Sequence, residues 1–229
     1  MSNKTLPKRN IICAYDDIAI LDFYEKHYDT VYIILHPFFK VKDSTKLDYE
    51  TEYPDKNQIS NLCELITWKD FLKLSKIENI ETLDIALRNS TGGLKKRYSN
   101  NTALKKLNKA SEQHQIYHPN EGMFEDTIID SMCQSLISLG LENIIAGNEF
   151  GDEKRSINIR DIIENRTKIE SSELNLYSEN NEILYTVHWD SHYTMLCSNR
   201  KNVEKIVSDF NFEGFYCKKK TDIYWSIKD

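Results

Sequence analysis

The sequence predicts an α+β fold on three observations. Short apolar runs rich in β-branched residues, such as "NIICAY" and "VYIIL", alternate with amphipathic stretches that have helical spacing. Glycine and proline are scarce, with 7 and 4 among 229 residues, which disfavours an all-β protein with many tight turns. No linker-like tract divides the chain, so we expect a single domain over 1–229, with a mixed β-sheet and several packed helices.

The N-terminal part predicts a βαβ unit. "NIICAY" is typical of a short strand, Asp16 or Asp17 is a good helix N-cap, and apolar residues at helical spacing follow over 17–28. The next run, "TVYIILHPFF", is too short for a helix and is ended by its proline, so it predicts a buried strand. We therefore expect residues 11–15 and 31–35 to be parallel neighbours in one sheet.

The central part predicts mainly helices. "NQISNLCELITWKDFLKL" and "IETLDIALRNSTGG" have helical spacing, and a more polar helix is expected over 102–115. The strongest pattern is "NEGMFEDTIIDSMCQSLISLG", in which apolar residues recur every four positions and Gly140 follows the last of them. Beyond it, "LENIIAGNEFGDEKRSINIRDII" predicts two short strands about a Gly-Asp turn, although 159–163 could equally begin a helix.

The C-terminal part predicts a hairpin and a β-α-β-β unit. "ELNLY" and "EILYTVHW" are two strands separated by the turn "SENN", and Ser198 then caps a helix with an apolar stripe. "EGFYC" and "DIYWSI" are expected to close the chain as two further strands.

Composition limits the classes of function. The net charge is -6 at pH 7 and basic residues cluster only in "LKKRY" and "CKKKT", which disfavours a nucleic-acid-binding role. No run approaches the length of a membrane span, and Tyr15, Asp16 and Asp17 interrupt the first apolar run before it could form a signal peptide. The 5 cysteines include no C-x-x-C pair, so we expect free thiols and a cytoplasmic protein with no membrane contact.

The segment "TVHWDSHYTML" contains the main candidate site. If it is one strand, His188, Asp190 and His192 lie on a polar face, and Trp189 and Tyr193 lie on an opposite, core-facing side. The two histidines would then be roughly 13 Å apart, too far to bind one metal ion unless the strand bends. The alternative is a hairpin that turns at Asp190, which would scatter the polar face. No complete metal-ligand motif is present, so a strand with satisfied polar groups is the simpler interpretation.

Other polar residues form weaker candidate sites. Asp16 and Asp17 follow the first expected strand and His36 follows the second, so they would meet at the carboxyl edge of a parallel sheet and could bind a ligand there. Helix capping and strand termination explain the same residues without a ligand. Glu121 and Glu125 are interpreted as first-turn acids that complement a helix dipole.

The C-terminal region resembles a known family. "YTVHWDSHYTMLCS", a helix and "FEGFYCKKKTDIYWSI" look like the end of the YwbB-like family of uncharacterised bacterial proteins, over residues 184–227. The resemblance implies a bacterial intracellular protein and supplies no catalytic residues.

Two functions from different classes stay open. An aromatic-rich chain with 13 Tyr, 9 Phe and 3 Trp could bind a small molecule or another protein, with Trp189 and Tyr193 among the contacts. The alternative is a hydrolase or transferase that uses His188, Asp190 and His192, with or without a metal ion. No motif specifies a cofactor, and nothing in the sequence predicts the oligomeric state.

Overall fold

The computed structural model describes residues 8–50, 53–92 and 94–227. In this part of the chain the α-helices are α1 (Ile20–Phe23), α2 (Lys56–Leu62), α3 (Trp68–Ser75), α4 (Ile80–Ser90), α5 (Asn101–His114), α6 (Asp126–Ser138), α7 (Ile159–Ile163) and α8 (Arg200–Phe210). The strands are β1 (Thr30–Leu35), β2 (Phe38–Val41), β3 (Cys63–Ile66), β4 (Ile116–Tyr117), β5 (Asn143–Asn148), β6 (Lys154–Asn158), β7 (Glu173–Tyr177), β8 (Leu184–Thr186), β9 (Tyr193–Ser198) and β10 (Gly214–Tyr216). Arg9–Ile11 and Lys96–Tyr98 form short 3-10 helices.

The strands form two sheets. The larger has seven strands in the order β10-β1-β9-β8-β7-β5-β6, and the smaller has three in the order β3-β2-β4. Each neighbouring pair in both sheets is antiparallel. Helices and strands both contribute throughout, and the predicted α+β fold class is confirmed. The expected mixed sheet is not found, because every strand pair in the described residues is antiparallel.

The seven-stranded sheet is buried on both faces. In β1, Val31, Ile33 and Leu35 pack into a core with α3, α4 and α5. Tyr32 and Ile34 face the opposite way, into a second core formed with α6, α7 and α8. Because both faces are covered, the whole of β1 is buried, which is why its sequence is continuously apolar and does not alternate.

The expected N-terminal βαβ unit is not formed. Residues 11–14 are buried, but Ile11 ends a 3-10 helix and 12–14 form no strand, and Asp16 and Asp17 lie exposed in a turn. The helix that follows is a single turn, α1, whose N-cap is Ala19. β1 has β9 on one side and β10 on the other, both antiparallel. Since these strands occupy both edges of β1, no edge remains for a parallel partner.

The C-terminal region also differs from the expected β-α-β-β unit. α8 and β10 form where they are expected, although the N-cap of α8 is Asn199 and not Ser198. The strand before α8 is β9, which begins only at Tyr193, and 222–227 is a turn segment that does not form the last strand. Ile223 in this segment is fully buried in the core beneath α4. The tail is therefore held by packing and by side-chain hydrogen bonds, described below, rather than by strand pairing.

The thiol prediction is confirmed, because Cys13, Cys63, Cys133, Cys197 and Cys217 are all free. No helix in the described residues has the length and apolar character needed to cross a bilayer.

Candidate functional site

The segment "HWDSH" is a connection between two antiparallel strands. β8 ends at Thr186 and β9 begins at Tyr193, and the two strands pair with each other, so 187–192 is the hairpin connection and not part of one strand. His188, Asp190 and His192 are buried, whereas Trp189 is 57% exposed. The expectation of one strand with a core-facing Trp189 and an outward polar face is therefore wrong, and the alternative of a hairpin that turns at Asp190 and Ser191 is confirmed. The alternating pattern misled because the polar side chains in this connection have buried partners.

The main partner is Arg88 on α4, which is fully buried. Its Nε donates to Asp84 Oδ2 at 2.8 Å, and its Nη1 lies 3.5 Å from Asp190 Oδ1. Nη1 also donates to the backbone carbonyl of Asp190, and Nη2 donates to that of Ile223 at 3.2 Å. Ser226 Oγ donates to the same Asp84 oxygen. One guanidinium thus joins α4, the 187–192 connection and the C-terminal tail.

This arrangement keeps Arg88 charged. Burial is the largest single effect and by itself lowers the pKa of Arg88. The charges of Asp84, Tyr193 and Asp190 and the hydrogen bond to Asp84 together outweigh burial and raise this pKa. A buried guanidinium is costly unless its nitrogen atoms have partners, and here three hydrogen bonds and the ion pair with Asp190 provide a partner for each of the three nitrogens.

Tyr224 and His188 also contact Asp190, Tyr224 through the carboxylate and His188 through the backbone N–H. The Tyr224 hydroxyl donates to Asp190 Oδ2 at 3.0 Å, and the Arg88 guanidinium lies 4.9 Å from the centre of the Tyr224 ring. The backbone N–H of Asp190 donates to His188 Nδ1 at 3.2 Å, which places the proton of a neutral His188 on Nε2. Burial, followed by the charge of Arg88, lowers the pKa of His188 to about 4, so the ring is neutral at pH 7.

Glu121 brings a second carboxyl group to Asp190. It belongs to the loop between β4 and α6, and its Oε1 accepts a hydrogen bond of 3.0 Å from Thr91 Oγ1. Burial raises the pKa of Glu121, and so do the hydrogen bond and charge of the Asp190 carboxyl beside it. Because of these two effects, Glu121 can keep its proton at a pH where an isolated carboxyl group has lost it.

A glycine allows the two loops to meet. The backbone N–H of Gly122 donates to the carbonyl of Ser191 at 2.9 Å, and Gly122 has φ of +69°. A Cβ at Gly122 would lie 2.2 Å from the carbonyl oxygen of Trp189, which is an impossible contact. Only glycine therefore permits this approach of 118–125 to 187–192.

The structure brings some of the sequence-predicted residues to one edge. Asp16 is exposed, but its negative charge raises the pKa of both His188 and Tyr224, so it lies on the same side as the carboxyl pair. Trp189 is beside His188, with ring centres 5.4 Å apart. Asp17 is also exposed.

The remaining predicted residues lie in the interior. His36 is fully buried, and its Nε2 lies 2.8 Å from Thr194 Oγ1. Its backbone N–H donates to the carbonyl of His192 at 3.1 Å. Tyr193 is fully buried and donates to the carbonyl of Ile223 at 2.7 Å. His36, His192 and Tyr193 therefore support the loops from inside and do not share the accessible edge with His188.

Three histidines form this interior support. Burial lowers the pKa of His36 to about 3 and of His118 to about 4, and it lowers that of His192 well below its usual value. The positive charges of Arg88, His36 and His118 would each disfavour protonation of His192. In the described ranges, no three His, Cys, Asp or Glu side chains are placed to hold a metal ion.

Sequence reasoning missed the residues that organise the site. Asp84 and Arg88 are an i, i+4 pair inside a helix that is otherwise apolar on that side, which was the available sign of a buried ion pair. The sequence places Glu121 and Glu125 in the first turn of a helix, but α6 begins at Asp126, so Glu125 is its N-cap and Glu121 lies in the preceding loop. The loop residues before it are therefore free to approach the 187–192 connection.

Comparison with known proteins gives the family without an activity. The sequence profile of a family described as "Protein of unknown function (DUF2711)" matches residues 16–227. The chain is 22% identical over 217 residues to "Uncharacterized protein YwbB" of Bacillus subtilis (strain 168), covering 92% of this chain and 96% of that protein. No solved structure matches the chain significantly. The expected YwbB-like kinship is confirmed, and the chain belongs to the DUF2711 family of proteins of unknown function.

Proposed function

We propose that this protein binds a small molecule at the Glu121–Asp190 carboxyl pair. The observation that carries the proposal is the docking of two loops through Gly122, which brings the carboxyl groups of Glu121 and Asp190 together. Burial, followed by the neighbouring Asp190, raises the pKa of Glu121 there. Perturbed carboxyl groups of this kind concentrate at functional sites. The free thiols of all five cysteines suit a cytosolic location, which we include in the proposal.

The charges around the pair favour a ligand with N–H or O–H donors. Asp84 and Asp190 together outnumber the single positive charge of Arg88, and Asp16 adds a negative charge nearby. An amine or hydroxyl group could donate hydrogen bonds to the Glu121 and Asp190 oxygens. The exposed Trp189 ring would then cover an apolar part of the ligand.

Ligand-observed NMR tests this function. A library of primary amines, amino acids and polyols is screened against the wild type, Glu121→Gln, Trp189→Ala and the control Glu78→Gln, whose side chain is exposed away from the site. We expect a compound whose signal is lost with the first two variants and kept with the control. Binding that is equal in all four proteins, or no binder in the library, would contradict the proposal.

A second candidate function is acid–base catalysis at the same pair, in a hydrolase or transferase. The raised pKa of Glu121 favours it, because a carboxyl group that keeps its proton can act as a general acid. Asp190 contacts Arg88 and Tyr224, and His192 faces the interior, so proton transfer would rest on Glu121, Asp190 and His188.

Turnover separates the two candidates. Chromogenic esters, phosphates and glycosides are incubated with the wild type, Glu121→Gln and Asp190→Asn, with and without added divalent metal. Catalysis predicts turnover that Glu121→Gln lowers by about 10²-fold or more. A compound that binds and is recovered unchanged supports binding alone.

A further inference from the structure

A separate cavity lies beside the three-stranded sheet. It has a volume of about 710 Å³ and is lined by three tyrosines, three carboxylates and one amide, namely Asp48, Tyr49, Glu50, Tyr53, Glu112, Gln115 and Tyr117. This volume lies in the range of small-molecule sites. None of these lining residues belongs to the Glu121–Asp190 site.

The three tyrosine rings form an inclined aromatic wall. The centres of Tyr49 and Tyr117 are 4.8 Å apart with planes inclined by 48°, and those of Tyr53 and Tyr117 are 5.6 Å apart with planes inclined by 69°. The Tyr53 hydroxyl donates to the carbonyl of His118 at 2.8 Å, and the Tyr117 hydroxyl donates to that of Asp48 at 3.3 Å. These bonds fix two of the rings in place before any ligand binds.

The electrostatic character of the cavity is negative. Of the described residues that line it, three carry carboxylates and none is basic. Glu112 lies in the last turn of α5, where a carboxylate is unfavourable because the end of a helix already carries partial negative charge. The Glu112 charge also raises the pKa of Tyr49, after the larger effect of burial, which places this carboxylate beside the aromatic wall.

We propose that this cavity binds a small organic cation of the quaternary ammonium class. Aromatic faces attract such cations electrostatically, and carboxylates and a helix C-terminus add attraction of the same sign. A quaternary ammonium has no N–H group on its nitrogen, so it does not need the hydrogen-bond acceptors that the Glu121–Asp190 pair offers. The proposal therefore concerns a second site and does not depend on the function proposed above.

Calorimetry with choline and tetramethylammonium tests the proposal. The neutral isostere of choline, 3,3-dimethylbutan-1-ol, serves as the matched ligand control. We expect choline to bind at least about tenfold more tightly than the isostere, because the isostere keeps the shape and loses the charge. High salt should weaken choline binding because the carboxylates are partly exposed.

Variants assign the site. Tyr53→Leu removes one ring from a side chain that is 42% exposed, and Glu112→Gln removes one exposed charge. Each should weaken choline binding by about two- to fivefold, whereas Glu64→Gln, an exposed carboxylate on β3, and Glu121→Gln should leave it unchanged. Thermal melts check that each variant is folded. If Tyr53→Leu is not folded, the Glu112→Gln variant alone is sufficient to test the site.

Two results would overturn the proposal. One is equal binding of choline and its neutral isostere, which would show that charge has no part in recognition. The other is choline binding that Tyr53→Leu and Glu112→Gln leave unchanged, or that Glu64→Gln weakens as much as they do. Loss of choline binding in Glu121→Gln alone would place the cation at the carboxyl pair instead.

Discussion

Arg88 is the residue on which most of the buried charge depends. It contacts Asp84 and Asp190 and also holds the carbonyl of Ile223 in the C-terminal tail. Replacement by Met would keep much of the side-chain volume and leave two buried carboxylates without their cation. We expect Arg88→Met to lower the free energy of unfolding by about 3–5 kcal/mol, measured by urea denaturation.

A helical pair at the surface provides the control for Arg88. Arg200 and Glu204 have the same i, i+4 spacing as Asp84 and Arg88, but both side chains are more than half exposed. Arg200→Met should change stability by less than about 1 kcal/mol. Equal losses in the two variants would mean that burial of the Arg88 pair contributes nothing.

Trp189 is the residue at which the sequence pattern misled most. As an exposed side chain in the 187–192 connection, it should contribute little to stability, so Trp189→Ala should cost less than about 1 kcal/mol. The same substitution at Trp68 should cost about 3–5 kcal/mol, because Trp68 is fully buried and donates to the carbonyl of His36 at 2.7 Å. Thermal melts of both variants decide this, and a larger loss at Trp189 would contradict the structure.

Residue-scale prediction failed here for a physical reason. Alternation of polar and apolar residues identifies a buried face only when the polar side chains have no partners in the interior. His188 and Asp190 do have such partners, and His192 is buried near Arg88 and two other histidines. The partners come from α4 and the tail, which are distant in sequence. A single sequence gives no direct sign of such contacts.

At the scale of elements, the site depends on the docking of two loops through Gly122. Gly122→Ala would meet both a positive φ and a clash with the Trp189 carbonyl, whereas Gly140→Ala would meet only a positive φ, of +84°, in open space. We expect Gly140→Ala to cost about 1 kcal/mol and Gly122→Ala to cost about 1–3 kcal/mol more. Urea denaturation measures both, and equal losses would show that the loops are not in contact.

Hydrophobic spacing in the sequence correctly predicted those helices and hairpins whose residues are close together in the chain. The polar helix expected over 102–115 is α5, and the expected hairpins β5–β6 and β7–β8 both form. The long helical stretch before α4 is instead divided into α2, β3 and α3, because β3 pairs with β2 along its whole length. Tertiary pairing there outweighs helical spacing.

At the scale of the whole molecule, the topology was the least predictable feature. The apolar run of β1 predicted a strand covered on both faces, which is correct, but the same run occurs in parallel and in fully covered antiparallel sheets. The antiparallel arrangement is determined by β9 and β10, from the other end of the chain, because each pairs with one edge of β1. Distant pairing of this kind leaves no local pattern in the sequence.

The buried ionisable groups make stability depend on pH in a defined direction. Burial lowers the pKa of four histidines, to about 3 for His36, about 4 for His118 and His188, and further below the usual value for His192. Between the folded pKa and the ordinary pKa of about 6.5, such a histidine is neutral in the folded protein and protonated in the unfolded chain. Its effect on the free energy of unfolding is therefore absent above pH 6.5, and stability falls as the pH falls toward the folded pKa. Burial has the opposite consequence for Glu125, because it raises that pKa from 4.5 to about 7.

The net effect should be acid destabilisation between pH 6.5 and 4.5. In this window the unfolded chain gains protons at the four histidines, while the folded chain already holds one at Glu125; the raised pKa of Glu121 acts in the same direction as that of Glu125. The difference of about two to three protons corresponds to a loss of about 3–4 kcal/mol per pH unit, measured by urea denaturation at pH 7, 6 and 5. His118→Gln should reduce this slope by about one proton, because the amide can keep a hydrogen bond to Ser111 without titrating. Stability that stays flat or rises from pH 7 to 5 would mean that the histidines are solvated in the folded protein.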